Sequence, residues 1–435
     1  MVKMFGMNLK SKKHIHLDSP GHGLGLSGKV WRRLCVSLLL VHCGASAVYA
    51  VDGGVHGSFK TFFLGLHNPL YQEELYGLAE NTLRLDARIY PSDLLVFEGA
   101  YEITPEVHSA ALAENGAADT FLSKSGGSQE YRVIDFNDRF YPVRTRDLKN
   151  LSVYHNLDRM YGSVYMPFGD LYLGRQAISW GSGHVVNPTD VIAPYSFTGL
   201  NTEEKRGVDA LRLRMPVGAM SELDVGYAAG ENFQYSKSAL FARARGYLAE
   251  TDVSVVVMDF FENLLLGVDA SRAIGGAGSW VEAAYVLPRG DTDDQYAAAS
   301  IGMDYNFGPK LYGYVEYHFN SAGKSDPEEY LEDHIAYTEG AVYLRGRHYA
   351  GLGGTYQLIP LIPVSGLVLV NFSDVSAYLS ISAEYNFAEN VYITGGAFIG
   401  IGEAPDTGGA GAFASYNSEF GAYPDLYYIA VKLYF

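Results

Sequence analysis

From residue 52 onward, apolar and polar residues alternate in short runs. In "LRLDARIY" Leu83, Leu85, Ala87 and Ile89 share one face, and Arg84, Asp86 and Arg88 the other. "ALRLRMPV" sets Leu211, Leu213 and Met215 against Arg212 and Arg214, and "LYGYVEYHF" places Tyr314, Glu316 and His318 on its polar side. "YLSISAEYNF" sets Leu379, Ile381, Ala383, Tyr385 and Phe387 opposite Ser380, Ser382, Glu384 and Asn386. A period of two predicts half-buried β-strands. No apolar run is long enough to cross a bilayer as a helix; the nearest, 358–370, is broken by Pro360 and Pro363 into two strands and a tight turn. The parse yields about 18 strands, or 16 if two hairpins are misread, with 253–268 the least certain.

Alternation alone also suits a soluble sandwich, so the connections matter. Short turns at 91–93, 168–169, 217–219, 250–251, 308–309, 360–363 and 388–390 alternate with long polar stretches at 108–149, 181–207, 320–346 and 403–424. That asymmetry predicts an all-β fold: a transmembrane antiparallel β-barrel with short periplasmic turns and long extracellular loops. Termini on the short-turn side require an even strand number. The chain ends "LYYIAVKLYF", with Tyr427, Ile429, Val431, Leu433 and Phe435 on one face. This resembles the C-terminal strand of bacterial outer-membrane barrels, and the resemblance implies that these five residues are read by the outer-membrane insertion machinery.

The N-terminal 50 residues follow a different pattern. Arg32-Arg33, the apolar run 34–41 and the small-residue sites Ala45-Ser46-Ala47 and Val48-Tyr49-Ala50 form the layout of a secretory signal peptide, cut after Ala50 or Ala47. Residues 1–50 are therefore expected to be an extension plus signal, and 51–435 a single barrel domain. Both cysteines, Cys35 and Cys43, fall in the removed part, which excludes a disulfide framework in the rest. Removing 1–50 takes seven of 32 basic residues and one of 49 acidic ones, leaving a net charge of −23. Such a charge excludes nucleic acid as a partner. Outer-membrane lipid and lipopolysaccharide are the expected surroundings.

Candidate chemistry is sparse. Ser182, His184 and Asp190 could form a nucleophile, base and orienting group, which keeps an outer-membrane hydrolase open, but Gly181-Ser182-Gly183 lacks the nucleophile-elbow pattern and suits a turn better. Gly351-Leu352-Gly353-Gly354 and the glycines of 408–411 lack the strand–helix setting of a dinucleotide loop and suggest crowded strands. The histidines show no metal-ligand spacing, and the acidic stretch 325–334 lacks a calcium-loop pattern, so neither metal nor cofactor is expected. The more informative charges lie on the polar faces of strands: Arg84, Asp86, Arg88, Arg212, Arg214, Glu222, Asp224, Arg243, Arg245, Asp269, Glu282, Glu316 and Glu384. Facing a water-filled lumen, such a set would govern which solutes pass.

By this parse, residues 181–207 join the fifth and sixth strands and form the third long loop. The string "GRQAISWG…NPTDVIAP" is similar to a stretch of porin-like outer-membrane proteins, including alginate-export-type barrels, through Gly174, Arg175, Gln176, Trp180, Gly181, Asn187, Pro188, Asp190 and Pro194. The resemblance implies transport, and a third loop, His184 included, that folds inward to constrict the pore. The expected function is passive diffusion of small hydrophilic solutes, with anion or sugar selectivity, the oligomeric state and a purely structural or adhesive role left open.

Overall fold

The computed structural model describes residues 52–435 except 70–74, 110–130, 145–149, 290–293, 408–412 and the single positions 135, 137, 195, 196, 202, 332, 333 and 341. The expected signal segment and the glycines at 408–411 lie outside the described residues. In order, the strands are β1 (Asp52–His67), β2 (Leu75–Ser92), β3 (Leu95–His108), β4 (Asp138–Tyr141), β5 (Leu151–Met166), β6 (Gly169–Ala177), β7 (Gly207–Pro216), β8 (Ser221–Ala228), β9 (Ala239–Leu248), β10 (Thr251–Phe260) and β11 (Asn263–Ile274). They continue with β12 (Ala277–Pro288), β13 (Tyr296–Asn306), β14 (Leu311–Asn320), β15 (His348–Ile359), β16 (Ile362–Asn371), β17 (Ser376–Ala388), β18 (Val391–Ile401), β19 (Asp406–Thr407), β20 (Phe413–Ser415) and β21 (Asp425–Tyr434).

Eighteen of these form the barrel wall, each antiparallel to its neighbours. The short β4 adds to the end of β5, and β19–β20 make a separate hairpin. Closure comes from β21 pairing with β1, from Ser58 opposite Tyr434 to His67 opposite Asp425. Closure pairs the backbone polar groups around the ring without a free edge, as lipid requires. The uncertain stretch 253–268 falls in two strands, β10 and β11, joined at Phe261 and Glu262; both residues have positive φ, as a tight hairpin demands.

One rim carries only turns of two to four residues, while the other carries the loops 109–150, 178–206, 321–347 and 402–424. The asymmetry is less regular than strict alternation suggests, because 261–262 and 372–375 are tight turns on the long-loop rim. The period-two faces divide as the alternation predicts: Ile429 is 59 % exposed on the outer surface, whereas Ala430 is fully buried inside. Phe63, Leu173, Leu211 and Leu352 extend the exposed apolar face. The crowding expected at 351–354 is present, since a Cβ at Gly353 would meet the Tyr314 ring at 2.3 Å.

The inside of the barrel is not uniformly open. Ile178, Trp180, Val191 and Ile192 from the third loop pack with Phe241, Met258, Phe260, Leu265 and Val286 of the wall. Val185 and Phe197 join Tyr349, Leu369, Tyr378, Phe398 and Phe420 in a second cluster. Apolar burial, at about 25 cal/mol per Å², thus draws the loops inside the barrel.

Candidate functional site

The third loop, 178–206, leaves β6 and folds onto the inner wall. Two inward-facing glutamates receive it. Glu282 on β12 accepts from the backbone N–H of Ser182 (3.1 Å), Gly183 (3.4 Å) and Thr189 (2.8 Å), and from the Thr189 hydroxyl (2.7 Å). Glu316 on β14 accepts from the N–H of His184 (2.6 Å), Val185 (3.1 Å) and Val186 (2.9 Å), and from the Trp280 indole (3.0 Å). Both carboxylates are buried beneath the loop. Six of these eight donors are backbone N–H groups, because the loop backbone from 182 to 189 has no strand partner of its own.

The remaining motif residues set the loop's course. Arg175 is buried and forms a two-pronged pair with Asp209 (2.8 and 2.9 Å), while also donating to the carbonyls of Leu157 and Ile134. Gln176 donates to the Ala210 carbonyl. Gly174, within β6, has φ +120°, and a Cβ there would lie 2.3 Å from the Met160 carbonyl oxygen, so this point of the strand needs glycine. Trp180 packs edge-on against Phe241 at 4.9 Å. Gly181 approaches the Asn187 side chain, and the Asn187 carbonyl accepts from the Asp190 N–H across Pro188. Pro194 is half-buried.

The serine, histidine and aspartate of this stretch do not converge. The Ser182 hydroxyl donates to Asp269. His184 stacks on Trp280 with ring centroids 4.2 Å apart and shares a hydrogen bond with Tyr312 (2.8 Å). Asp190 accepts from the Ser179 hydroxyl (2.9 Å) and the Ala193 N–H (3.2 Å), and lies 3.5 Å from Lys205. Burial pushes its carboxyl above the ordinary range, against the pull of Lys205 and those hydrogen bonds.

Most of the remaining inward charges are paired. Arg84 binds Asp86, Glu102 and Asp158, and Arg88 binds Glu98. Arg212 holds Asp224 (2.6 Å), Arg214 holds Glu222 (2.6 Å), and Arg245 lies 3.4 Å from Asp252. Arg243 instead donates to Ser254 (3.2 Å), beside Asp269 and Ser182. At the seam of the barrel, Glu203 of the third loop accepts from Lys60 on β1 (2.6 Å) and from Lys432 (2.9 Å) and Tyr434 (2.7 Å) on β21. Lys432 also reaches Glu384 (3.1 Å). Burial opposes ionisation of Glu203, but these donors outweigh it and hold its carboxyl down to about 2. The loop is therefore tied both to the β12–β14 wall and to the β1–β21 seam.

Three further loops meet at Glu419. Its carboxylate accepts from the Tyr349 hydroxyl, the Asn371 amide (2.9 Å) and the Arg345 N–H (2.8 Å), and its own N–H donates to Asp374 (2.6 Å). Burial pushes this carboxyl up to about 7, against the hydrogen bonds from Tyr349 and Arg345, with Asp374 adding to the rise. A folded value above the ordinary 4.5 means that the group's contribution is complete below 4.5 and is lost as pH rises through 7. The last loop should thus resist protease better at about pH 5 than at about pH 8, and Glu419→Gln should abolish the difference.

Neither a protein-family model nor a curated protein sequence matches the chain. Solved structures do. OccAB2 of Acinetobacter baumannii superposes with a TM-score of 0.57 at 9 % identity, covering 88 % of this chain and 98 % of that one. OccD3 (OpdP) of Pseudomonas aeruginosa gives 0.52 at 8 % identity, covering 88 % and 91 %, and OccK8 (OprE) of the same organism gives 0.52 at 10 %, covering 88 % and 98 %. The fold is that of a porin-like outer-membrane barrel.

Within this porin-like barrel the expected lumen set divides into two groups. Glu282, Glu316, Asp224, Asp269 and Arg84 are buried, engaged with the loop or with neighbouring wall residues. Asp86, Arg88, Arg212, Arg214, Glu222, Arg243, Arg245 and Glu384 retain partial or full exposure. Sequence reading missed Asp158, Asp209, Glu203, Lys60 and Lys432. The inward period of β1 and β21 marks the two lysines, but nothing in the loop's sequence marks Glu203.

Proposed function

We propose that this chain is an outer-membrane channel through which small hydrophilic solutes diffuse passively, narrowed by its third loop and acting by conduction rather than by catalysis. Residues 1–50 serve export, and the outward row Tyr427, Ile429, Val431, Leu433 and Phe435 serves insertion. The observation that carries the reading is the third loop's position. It lies inside a closed barrel, anchored at both ends, with Gly181 and His184 still exposed. Eighteen strands enclose more space than side chains alone fill, and a loop across that space leaves a polar passage.

Selectivity in this reading comes from the paired charges on β7, β8 and β9. Low-dielectric walls concentrate their field on a passing solute. Replacing Arg212 and Arg214 together with glutamine would leave Asp224 and Glu222 without their cations, so the reversal potential across a salt gradient should shift toward cation preference. An unchanged potential would place both pairs away from the conducting path.

A further inference from the structure

Beside the loop tip lies a group of aromatic rings, of which only the Trp280 indole donates to the carboxylates that clamp the loop. The exposed His184 ring has one face stacked on Trp280, 4.2 Å away with the ring planes 8° apart. Tyr314 lies 5.0 Å from His184, and Tyr312 lies 6.2 Å from Tyr314. Glycines across the strands let two of these rings lie against the wall. A Cβ at Gly302 would meet Trp280 at 2.2 Å, and one at Gly353 would meet Tyr314 at 2.3 Å. Both tyrosines are only half-buried.

Hydrogen-bonding groups of both signs flank these rings. On one side Asp304 accepts from the Tyr312 hydroxyl (3.0 Å) and lies 3.5 Å from His184. On the other, two residues back along the loop, Ser182 borders a cavity of about 160 Å³ lined by Arg243, Ser254, Asp269 and Ser271. A simple cation would meet Arg243 here, and a simple anion would meet Asp269 and Asp304. A neutral polyol meets neither penalty, because each hydroxyl both donates and accepts. The C–H face of a pyranose ring is apolar and flat enough to rest on an aromatic face, while its rim of hydroxyls needs donors and acceptors together.

We propose that His184, Tyr312 and Tyr314 form a stacking platform for a neutral sugar ring, with Asp304 on one flank and Arg243 and Asp269 on the other. The proposal rests on the channel reading, since the sugar reaches the platform through the lumen. It gives the loop tip a second role, as one wall of a weak binding site from which the solute can leave again.

Maltose titrated into the detergent-solubilised barrel should change its intrinsic tryptophan fluorescence saturably, because Trp280 lies directly beneath His184. Tyr314→Ala should weaken that binding on the order of tenfold, the scale of one lost stacking contact; Tyr314→Phe should retain it. Tyr314 belongs to the wall rather than the loop, so the variant leaves the glutamate clamp in place. In planar bilayers, maltose should interrupt the ion current of the parent barrel in the same concentration range. A flat fluorescence titration, equal affinity in Tyr314→Ala, or competition by arginine or benzoate but not by glucose would overturn the platform. Saturable binding in a barrel that passes no ions would keep the platform and refute the channel.

Discussion

Glu316→Ala is expected to release the tip of the third loop from the barrel wall and to raise single-channel conductance, with rapid flicker between levels. Three backbone N–H groups and the Trp280 indole would lose their acceptor at once. An orphaned buried donor costs about 1–3 kcal/mol, so even partial rehydration leaves the docked loop several kcal/mol weaker. The barrel itself should persist, because the lost bonds are outside the strand ladder. Unaltered β-sheet circular dichroism together with a larger, noisier current is the expected result. Adding Glu282→Ala should extend the effect, since Glu282 holds Ser182, Gly183 and Thr189. Unchanged conductance in the double variant would mean that apolar packing alone places the loop.

The second large effect is expected at Arg175. Arg175→Met would leave Asp209 partly buried without its cation and would orphan the carbonyls of Leu157 and Ile134. Breaking a buried pair by removing one partner costs about 3–5 kcal/mol. The loss falls where β6, β7 and the residues near 131–134 meet, so it should appear as a lower temperature for heat-induced loss of the compact electrophoretic form. Arg175→Lys should recover little, because an ammonium cannot serve two carboxylate oxygens and two carbonyls from one planar fork. A variant as heat-resistant as the parent would show that the ladder alone carries stability at this corner.

The strands were legible because alternation is a local property. A residue's face follows from its position in its own strand, and lipid outside with loops or water inside gives every strand the same sign of pattern. Pairing is different. That Arg212 meets Asp224 and Arg214 meets Glu222 depends on register, which a one-residue slip would destroy. The role of Glu282 and Glu316 was hidden for another reason. In the sequence they look like any other inward charge, and only the loop's path decides that they are buried beneath its backbone. Glu203 lies in a segment without any period, so its bonds to Lys60 and Lys432 had no local signature. Conversely, the inward course of this loop was expected from its place as the third long loop and from the resemblance of 174–194 to porin-like proteins; its glycines, proline and aspartate marked only tight turns.

In the channel reading, the docked third loop narrows the passage without sealing it. Single-channel recording of residues 51–435 reconstituted in a planar bilayer tests this. Discrete current steps of uniform size are expected, and they should grow when Glu316 is replaced by alanine. A bilayer that stays electrically silent with correctly folded protein inserted, in both the parent and the variant, would contradict it.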